Sequence, residues 1–279
     1  MIGNADFLAL QKLLQERAGM ALTSDKLYLV GSRLSPVAQR LGFRSVIELM
    51  TALREKPREN IVAAVIEAMV THESLFFRDE KPFEQLTRIA LPELMRARAA
   101  KKVLRIWSAA CSSGQEPYSI AMQLSETLAH TAGWRWDIVG TDISAPIVER
   151  ARTGIFTDFE MKRGLSPERK HRHFHPLDAT RFQVNESLKR MVQFRLHNLI
   201  EPAAHLGTFD IVFCRNVLIY FDAPTKARAL DLIARQLAGD GFLFLGSADS
   251  VIGVSDKFEA AGGERGLFRP VQARQAKIA

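Results

Sequence analysis

The sequence predicts an α/β protein: a mostly parallel, doubly wound sheet with a small antiparallel insertion, preceded by a small all-α domain. Three observations predict it. Residues 1–98 carry helical apolar spacings almost throughout. From Val103 onward, short apolar runs of strand length alternate with helical stretches, the order that builds a parallel sheet. Around residues 155–195 that alternation is broken by basic residues and two short alternating runs, Arg181–Val184 and Met191–Arg195, which read as a helix and a small antiparallel insertion. On this reading residues 1–80 form the helical domain, 81–98 a linker helix and 99–279 the sheet domain.

In the helical part, Phe7, Leu10, Leu13 and Leu14 share a face and Gly19 is the expected stop. A second helix is expected from Thr23 or Ser24 as N-cap towards Leu41, closed by Gly42, with Pro36 bending or splitting it. Val46, Leu49, Met50 and Leu53 mark a third, ending before Pro57. Ile61, Val62, Val65, Ile66 and Met69 mark a fourth. Such stripes are the core of a small bundle. Adjacent Phe76 and Phe77, then Arg78, follow at the join of the two parts. The aromatics read as a staple with Arg78 on the surface, or Arg78 faces a cleft where sites form. A helix from Pro82 to about Arg98 leads into the first strand.

The stretch 103–122 organises the sheet domain. Val103 to Trp107 is a buried strand by length and composition, Ser108 to Gly114 a run of small residues, and Glu116-Pro117 opens a helix with Tyr118, Ala121, Met122, Leu124 and Leu128 at apolar spacing. Strand, tight loop and helix in this order start a nucleotide-type site. Neither the Gly-x-Gly-x-x-Gly fingerprint nor a P-loop is present, so a cofactor without phosphates fits best.

A second strand, Trp136 to Asp142, ends in an acid whose two oxygens suit a ribose diol; the alternative is a helix cap, which Ser144 and Pro146 already supply. A third strand ends at His197-Asn198-Leu199. A fourth, Phe209 to Cys214, delivers Arg215 and Asn216 to the same edge, with Tyr220 about a turn later. Ala227 to Leu237 reads as a helix, Gly241 to Gly246 as a fifth strand, Gly266 to Arg269 as a last one, and residues 271–279 as a frayed tail. The basic and His-rich residues from Lys162 to His175 lack metal-ligand spacing and read as a solvated basic face.

Composition limits the function classes. No apolar run is long enough to span a bilayer, and Asp6, Lys12 and Glu16 argue against a signal peptide. Two cysteines, Cys111 and Cys214, are too few for a disulfide scaffold and read as buried thiols, so a cytoplasmic chain is expected. A net charge of +7 allows an acidic partner without specifying it.

The stretches Trp107–Ala121, Phe76-Phe77-Arg78-Asp79 and Phe213-Cys214-Arg215-Asn216-Val217-Leu218-Ile219-Tyr220-Phe221-Asp222 resemble the chemotaxis-receptor glutamate methyltransferases, the CheR family. The resemblance implies a Rossmann-like S-adenosylmethionine-dependent methyltransferase domain behind the all-α domain. Its cofactor contacts fall on His72, Ser74, Arg78, Glu116, Asp142, Asn198, Leu199, Arg215 and Asn216, with Arg78 and Tyr220 near the methyl-transfer centre. His72 stands where the family usually has Asn and Ser74 where it usually has Thr; both keep hydrogen-bonding capacity. The implied reaction makes a glutamate methyl ester and S-adenosylhomocysteine on the cytoplasmic methylation helices of chemoreceptors, with no metal.

The family also implies a basic docking face on the helical domain, here Lys26, Arg33 and Arg40, with the usual Arg cluster interrupted by Ser35-Pro36-Val37. Some members bind a receptor's C-terminal pentapeptide along the edge of the insertion. The matching stretch here, His175 to Val184, is a few residues shorter, so no pentapeptide is expected. The chain is expected to act as a monomer, without nucleic acid or membrane insertion. Two rivals remain at this point. A nucleic-acid methyltransferase would carry Asp/Asn-Pro-Pro-Tyr/Phe where this chain has Arg215-Asn216-Val217-Leu218. A non-catalytic cofactor-binding scaffold would show damage at Arg78, Asp142 or Tyr220, and all three are intact.

Overall fold

The computed structural model describes residues 3–127 and 133–271. Leu128 of the expected apolar spacing and the expected tail beyond Val271 lie outside the described residues. The contacts divide the chain into two compact units: residues up to His72 together with Tyr220–Thr225, and the remainder. By contacts the second unit begins at Glu73, and Phe76 and Phe77 are buried in its core.

The helical unit contains α1 (Asn4–Ala18), α2 (Leu27–Arg40), α3 (Val46–Glu55) and α4 (Glu59–Met69). Leu10, Leu14, Val30, Leu34, Leu49 and Val65 are fully buried between them. Gly19 ends α1 in the left-handed region, at φ 68°. Ser45 caps α3 by accepting the Glu48 N–H at 3.2 Å, while the Glu48 carboxylate takes the Arg44 N–H at 2.6 Å. Pro36 does not split α2, which runs through it. The Ser32 carbonyl loses its intrahelical donor, but both residues are exposed, where water serves instead. The chain returns to this unit at residues 220–225. There the Ala21 N–H donates to the Tyr220 carbonyl at 2.8 Å, and the Gln15 amide donates to Asp222 at 3.1 Å.

The second unit opens with α5 (Lys81–Gln85), a π turn (Leu86–Ala90) and α6 (Leu91–Ala97), where a single regular helix was expected. Pro92 explains the wider turn: it offers no N–H to Arg88, and Leu91 instead donates to the Leu86 carbonyl. Then follow β1 (Val103–Ala109), α7 (Gln115–Thr127), β2 (Arg135–Asp142) and α8 (Ala145–Thr153). The insertion holds β3 (Ile155–Thr157), α9 (Asp158–Lys162), α10 (Pro167–His173), β4 (Phe174–Pro176), β5 (Arg181–Val184) and α11 (Glu186–Lys189). The chain rejoins the main sheet as β6 (Val192–Leu196) and continues through β7 (Phe209–Cys214), α12 (Ala223–Gln236), β8 (Leu237–Leu245), β9 (Phe258–Ala260) and β10 (Leu267–Pro270). Nothing in the alternation of the sequence marks β9.

The seven-stranded sheet has the order β6-β2-β1-β7-β8-β10-β9, parallel except at β10 and β9; the small sheet has the order β3-β5-β4 and is antiparallel. Ile106, Ile138, Ile211, Phe213, Phe242 and Phe244 are fully buried, and the Phe213 and Phe244 rings stack 4.4 Å apart. Phe76 meets Phe156 and Phe174 edge to face at 4.9 and 5.7 Å, which ties the small sheet to the main core.

The expected solvated basic face is largely paired. His173 is buried and bonds Glu126 at 2.8 Å, Arg169 bonds Glu126 and lies over the Phe77 ring, and Lys170 pairs with Asp158 at 2.6 Å. The paired acids lie elsewhere in the chain or on the preceding helix, beyond what a local charge count sees.

Candidate active site

The parallel strands β2, β1, β7 and β8 lie side by side, with Ala109 opposite both Thr141 and Cys214, and Cys214 opposite Leu245. Their carboxyl ends therefore deliver side chains to one edge. β1 sits between β2 and β7, where the strand order reverses, the position at which open α/β sheets hold ligands.

The loop after β1 has an unusual backbone. Ala110 and Ser112 adopt φ of 55° and 53°, and Gly114 follows at 96°. Each non-glycine residue held there costs about 1–2 kcal/mol, so something must hold it. Cys111 continues the ladder by donating its N–H to the Thr141 carbonyl at 2.9 Å. The Ser112 N–H donates to Asp142 Oδ2 at 2.8 Å, while Asp142 Oδ1 accepts the Ser144 N–H at 3.1 Å. Asp142, buried at the end of β2, thus braces the loop and the start of α8 together. Ser144 Oγ caps α8, taking the Ile147 N–H. A carboxylate oxygen has room for a further donor, so bracing and ligand binding are compatible.

Arg215, at the end of β7, turns inward, and its side chain is 1% exposed. Nη1 donates to Glu116 Oε2 at 3.0 Å, and Nη2 to Asp79 Oδ2 and to the Arg78 carbonyl, both at 2.7 Å. Ser108 Oγ bonds the other Glu116 oxygen at 2.7 Å. One charge-assisted network therefore links the end of β1, the start of α7, the end of β7 and the 76–80 turn. That turn holds Phe77, Asp79 and Glu80 at positive φ, and Ser119 Oγ accepts the Phe77 N–H at 3.0 Å. Arg215 Nε is buried with no partner among the described residues. Sequence reasoning marked Arg215 and Glu116 as ligand-edge residues, and the structure shows them also bonded to each other. It named Asp79 only as the end of the Phe76–Asp79 stretch and missed its role, because the link to Arg215 spans the chain.

Asn216 follows at φ 59°, its N–H donating to Asp249 Oδ2 at 3.1 Å. Asp249 was also missed; its only signal is an acid just past the fifth strand. At the end of β6, Asn198 turns the chain by accepting the Glu201 N–H on its carbonyl, and Leu199 is buried. His197 is 7% exposed, and burial lowers its imidazole pKa, with His205 adding to the effect.

Ser74 and Arg78 are half-buried in the sheet unit, and the Arg78 guanidinium has no hydrogen-bond partner among the described residues. His72 and Tyr220 belong to the helical unit. His72 Nε2 lies 3.4 Å from Glu67 Oε1, and Tyr220 is half-buried. Of the expected docking residues, Arg40 is exposed and Lys26 half-buried. Arg33 is committed to the end of α4, donating to the Met69 carbonyl at 2.5 Å and to Thr71 Oγ1 at 3.2 Å.

Burial and nearby carboxylates push the thiols of Cys111 and Cys214 well up, so neither is a nucleophile. Among the described residues, no group of three or more His, Cys, Asp or Glu is placed to hold a metal ion, and no helix is long and apolar enough to cross a membrane.

Comparison with known proteins covers almost the whole chain. Residues 5–70 match the family model described as CheR methyltransferase, all-alpha domain, and residues 72–267 match CheR methyltransferase, SAM binding domain. Chemotaxis protein methyltransferase Cher2 of Pseudomonas putida is 41% identical over 260 residues, 92% of this chain and 94% of that protein. A chemotaxis protein methyltransferase of Vibrio parahaemolyticus is 40% identical over the same shares. That of Escherichia coli is 33% identical over 94% of this chain and 90% of its own length.

Proposed function

The chain belongs to the CheR methyltransferase family, and from that premise we propose that it methyl-esterifies glutamate side chains on the cytoplasmic helices of chemoreceptors, for sensory adaptation. The observation that carries this reading is the matched site edge itself: an intact β1 loop braced by Asp142, with the Glu116–Arg215 pair beside it.

The edge fits S-adenosylmethionine. Its loop, Ala109 to Gly114, is small and carries no phosphate-cradling Lys, Asp142 keeps acceptor capacity for a ribose diol, and Arg215 Nε is a buried donor without a partner among the described residues. Ser74, Arg78, Glu116, Asp142, Asn198, Leu199, Arg215 and Asn216 would hold the cofactor, with His72 as a further contact. When bound, the cofactor supplies an electrophilic sulfonium methyl group.

A glutamate side chain, with an ordinary pKa of about 4.3, is already ionised at neutral pH, so no general base is required. The protein must instead strip water from the carboxylate and hold it in line, roughly 3–3.5 Å from the methyl carbon. Arg78 is assigned to orient that carboxylate through charge-assisted hydrogen bonds, which its half-buried guanidinium, without a hydrogen-bond partner among the described residues, supports. Tyr220 is assigned to donate its hydroxyl to the same carboxylate. The carboxylate oxygen gains the methyl group, leaving a glutamyl methyl ester and S-adenosylhomocysteine.

For docking, Lys26 and Arg40 are the available cations of the basic face, and Arg33 contributes less because it caps α4. The reading without a receptor pentapeptide is supported by the shortness of the small sheet's edge. β4 spans only Phe174–Pro176, and Pro176 has no N–H to offer an added strand. The deciding experiment is transfer of labelled methyl from S-adenosylmethionine to receptor cytoplasmic fragments with and without their C-terminal tails. Base-labile label on tail-less fragments is expected. No transfer to any receptor fragment would overturn the reading, and transfer that requires the tail would overturn its docking part.

A further inference from the structure

Outside the residues assigned above, the site edge holds one acid whose surroundings are costly to the free protein. Asp249 lies four residues beyond the end of β8, next to the residue that follows Arg215. β7 and β8 are parallel neighbours in register at Cys214 and Leu245, so the turns beyond them rise side by side. Asp249 Oδ2 accepts the Asn216 N–H at 3.1 Å, and the Asp249 N–H closes its own turn on the Gly246 carbonyl at 3.0 Å.

Three features mark this contact as more than a surface turn. Asn216 is held left-handed at φ 59°, a conformation that few side chains adopt and that Asn tolerates when a local hydrogen bond holds it. Gly246 is the residue that permits the approach: a Cβ there would stand 2.9 Å from both the Asn216 nitrogen and Asp249 Oδ2, and 3.1 Å from the Asn216 side-chain amide. Asp249 Oδ1 is buried with no partner among the described residues, and burial raises the carboxyl pKa from its ordinary value. A half-satisfied buried carboxylate is retained at a cost, and such groups cluster where a site needs a fixed geometry.

We infer that Asp249 is a positioning residue of this site, acting through Asn216: it fixes the left-handed turn after β7 and so aims the Asn216 side chain along the ligand edge. The inference rests on the reading of that edge as the cofactor site. Any side chain with an acceptor oxygen of the same reach keeps the Asn216 turn; one without it releases the turn.

The test compares the full chain with Asp249→Ala and Asp249→Asn. Calorimetric binding of S-adenosylhomocysteine and single-turnover methyl transfer at saturating S-adenosylmethionine are measured for each. Asp249→Ala is expected to weaken S-adenosylhomocysteine at least fivefold and to slow transfer at least tenfold. Asp249→Asn, which keeps an acceptor for the Asn216 N–H, is expected within about twofold of the parent in both. Rescue by Asn separates positioning from a general loss of stability, and the Asn variant is informative even where the Ala variant fails to fold. Unchanged binding and transfer in Asp249→Ala overturn the inference, and so does an Asn variant as impaired as the Ala one. A parent chain that binds S-adenosylhomocysteine but methylates no receptor fragment sinks the substrate reading and leaves the binding comparison intact.

Discussion

Asp142 Oδ2 accepts the Ser112 N–H at 2.8 Å, so the last residue of β2 holds the loop that follows β1. The acid expected to face a ribose is therefore also the brace of the loop beside it, and the two roles fail together when it is changed.

Asp142→Ala removes both. Loss of charged hydrogen bonds predicts weaker S-adenosylmethionine binding by roughly 1.5–3 kcal/mol. The freed Ser112 and Ser144 amides add a fall in thermal midpoint. Calorimetry and a melting curve on the same sample check this, and unchanged affinity in a folded variant would remove Asp142 from the site.

Tyr220→Phe deletes one hydroxyl and little volume. Cofactor affinity is expected to stay and turnover to fall at saturating cofactor and receptor fragment. Wild-type turnover in that assay would end the assignment of the hydroxyl.

Arg215→Met is expected to destabilise more than a typical substitution. Its guanidinium is 1% exposed and is the counter-charge of Glu116, which is 13% exposed. Breaking a buried pair on one side costs roughly 3–5 kcal/mol, and the low end applies because Asp79 is 41% exposed and partly served by water. Denaturant unfolding measures it; a change below about 1 kcal/mol, the scale of a surface pair, would contradict the network.

Gly164→Ala tests the insertion. Gly164 sits at φ 97°, and a Cβ would come within 1.9 Å of the Phe76 carbonyl oxygen. Strain and displacement together predict a loss of more than about 2 kcal/mol, read as a fall of roughly 5 °C or more in the thermal midpoint. An unshifted midpoint would mean that the 76–80 turn does not run against Gly164.

His197 makes a contribution of known sign to the pH dependence of stability. Burial lowers its pKa in the folded chain, whereas the unfolded chain keeps the ordinary value of about 6.5. As pH falls through that value the unfolded state takes up the proton first, so stability drops, and the drop ends below the folded pKa. His197→Phe should therefore lose less stability than the parent between pH 7.5 and 5.5, by about the amount one imidazole contributes. Equal losses in the two proteins would show that His197 does not set the slope.

Much of the site could be read from the sequence because parallel strands announce themselves. Val103 to Trp107 and Phe209 to Cys214 are apolar runs that end abruptly in polar residues, and the structure brings those ends to one edge. What the sequence hid was set by distance along the chain. Arg215 meets Glu116 and Asp79 across separations of 99 and 136 residues, so no local pattern signals that its guanidinium points inward. The partners of His173 and Arg169 escaped notice for the same reason. The effect of a proline was also not legible locally. Pro36 lies on an exposed helix face and leaves α2 whole, while Pro92 is absorbed by a π turn, outcomes decided by solvent and by the preceding turn.

The return of residues 220–225 to the helical unit bears on how the protein can be dissected. A gene fragment ending at His72 would encode α1 to α4 without the segment that pairs with Ala21 and Gln15, and a fragment starting at Glu73 would carry that segment away from its neighbours. No single cut frees either unit with all its parts. Transplanting α1 to α4 between relatives therefore calls for a two-site graft, with residues 220–225 moved alongside residues 1–72.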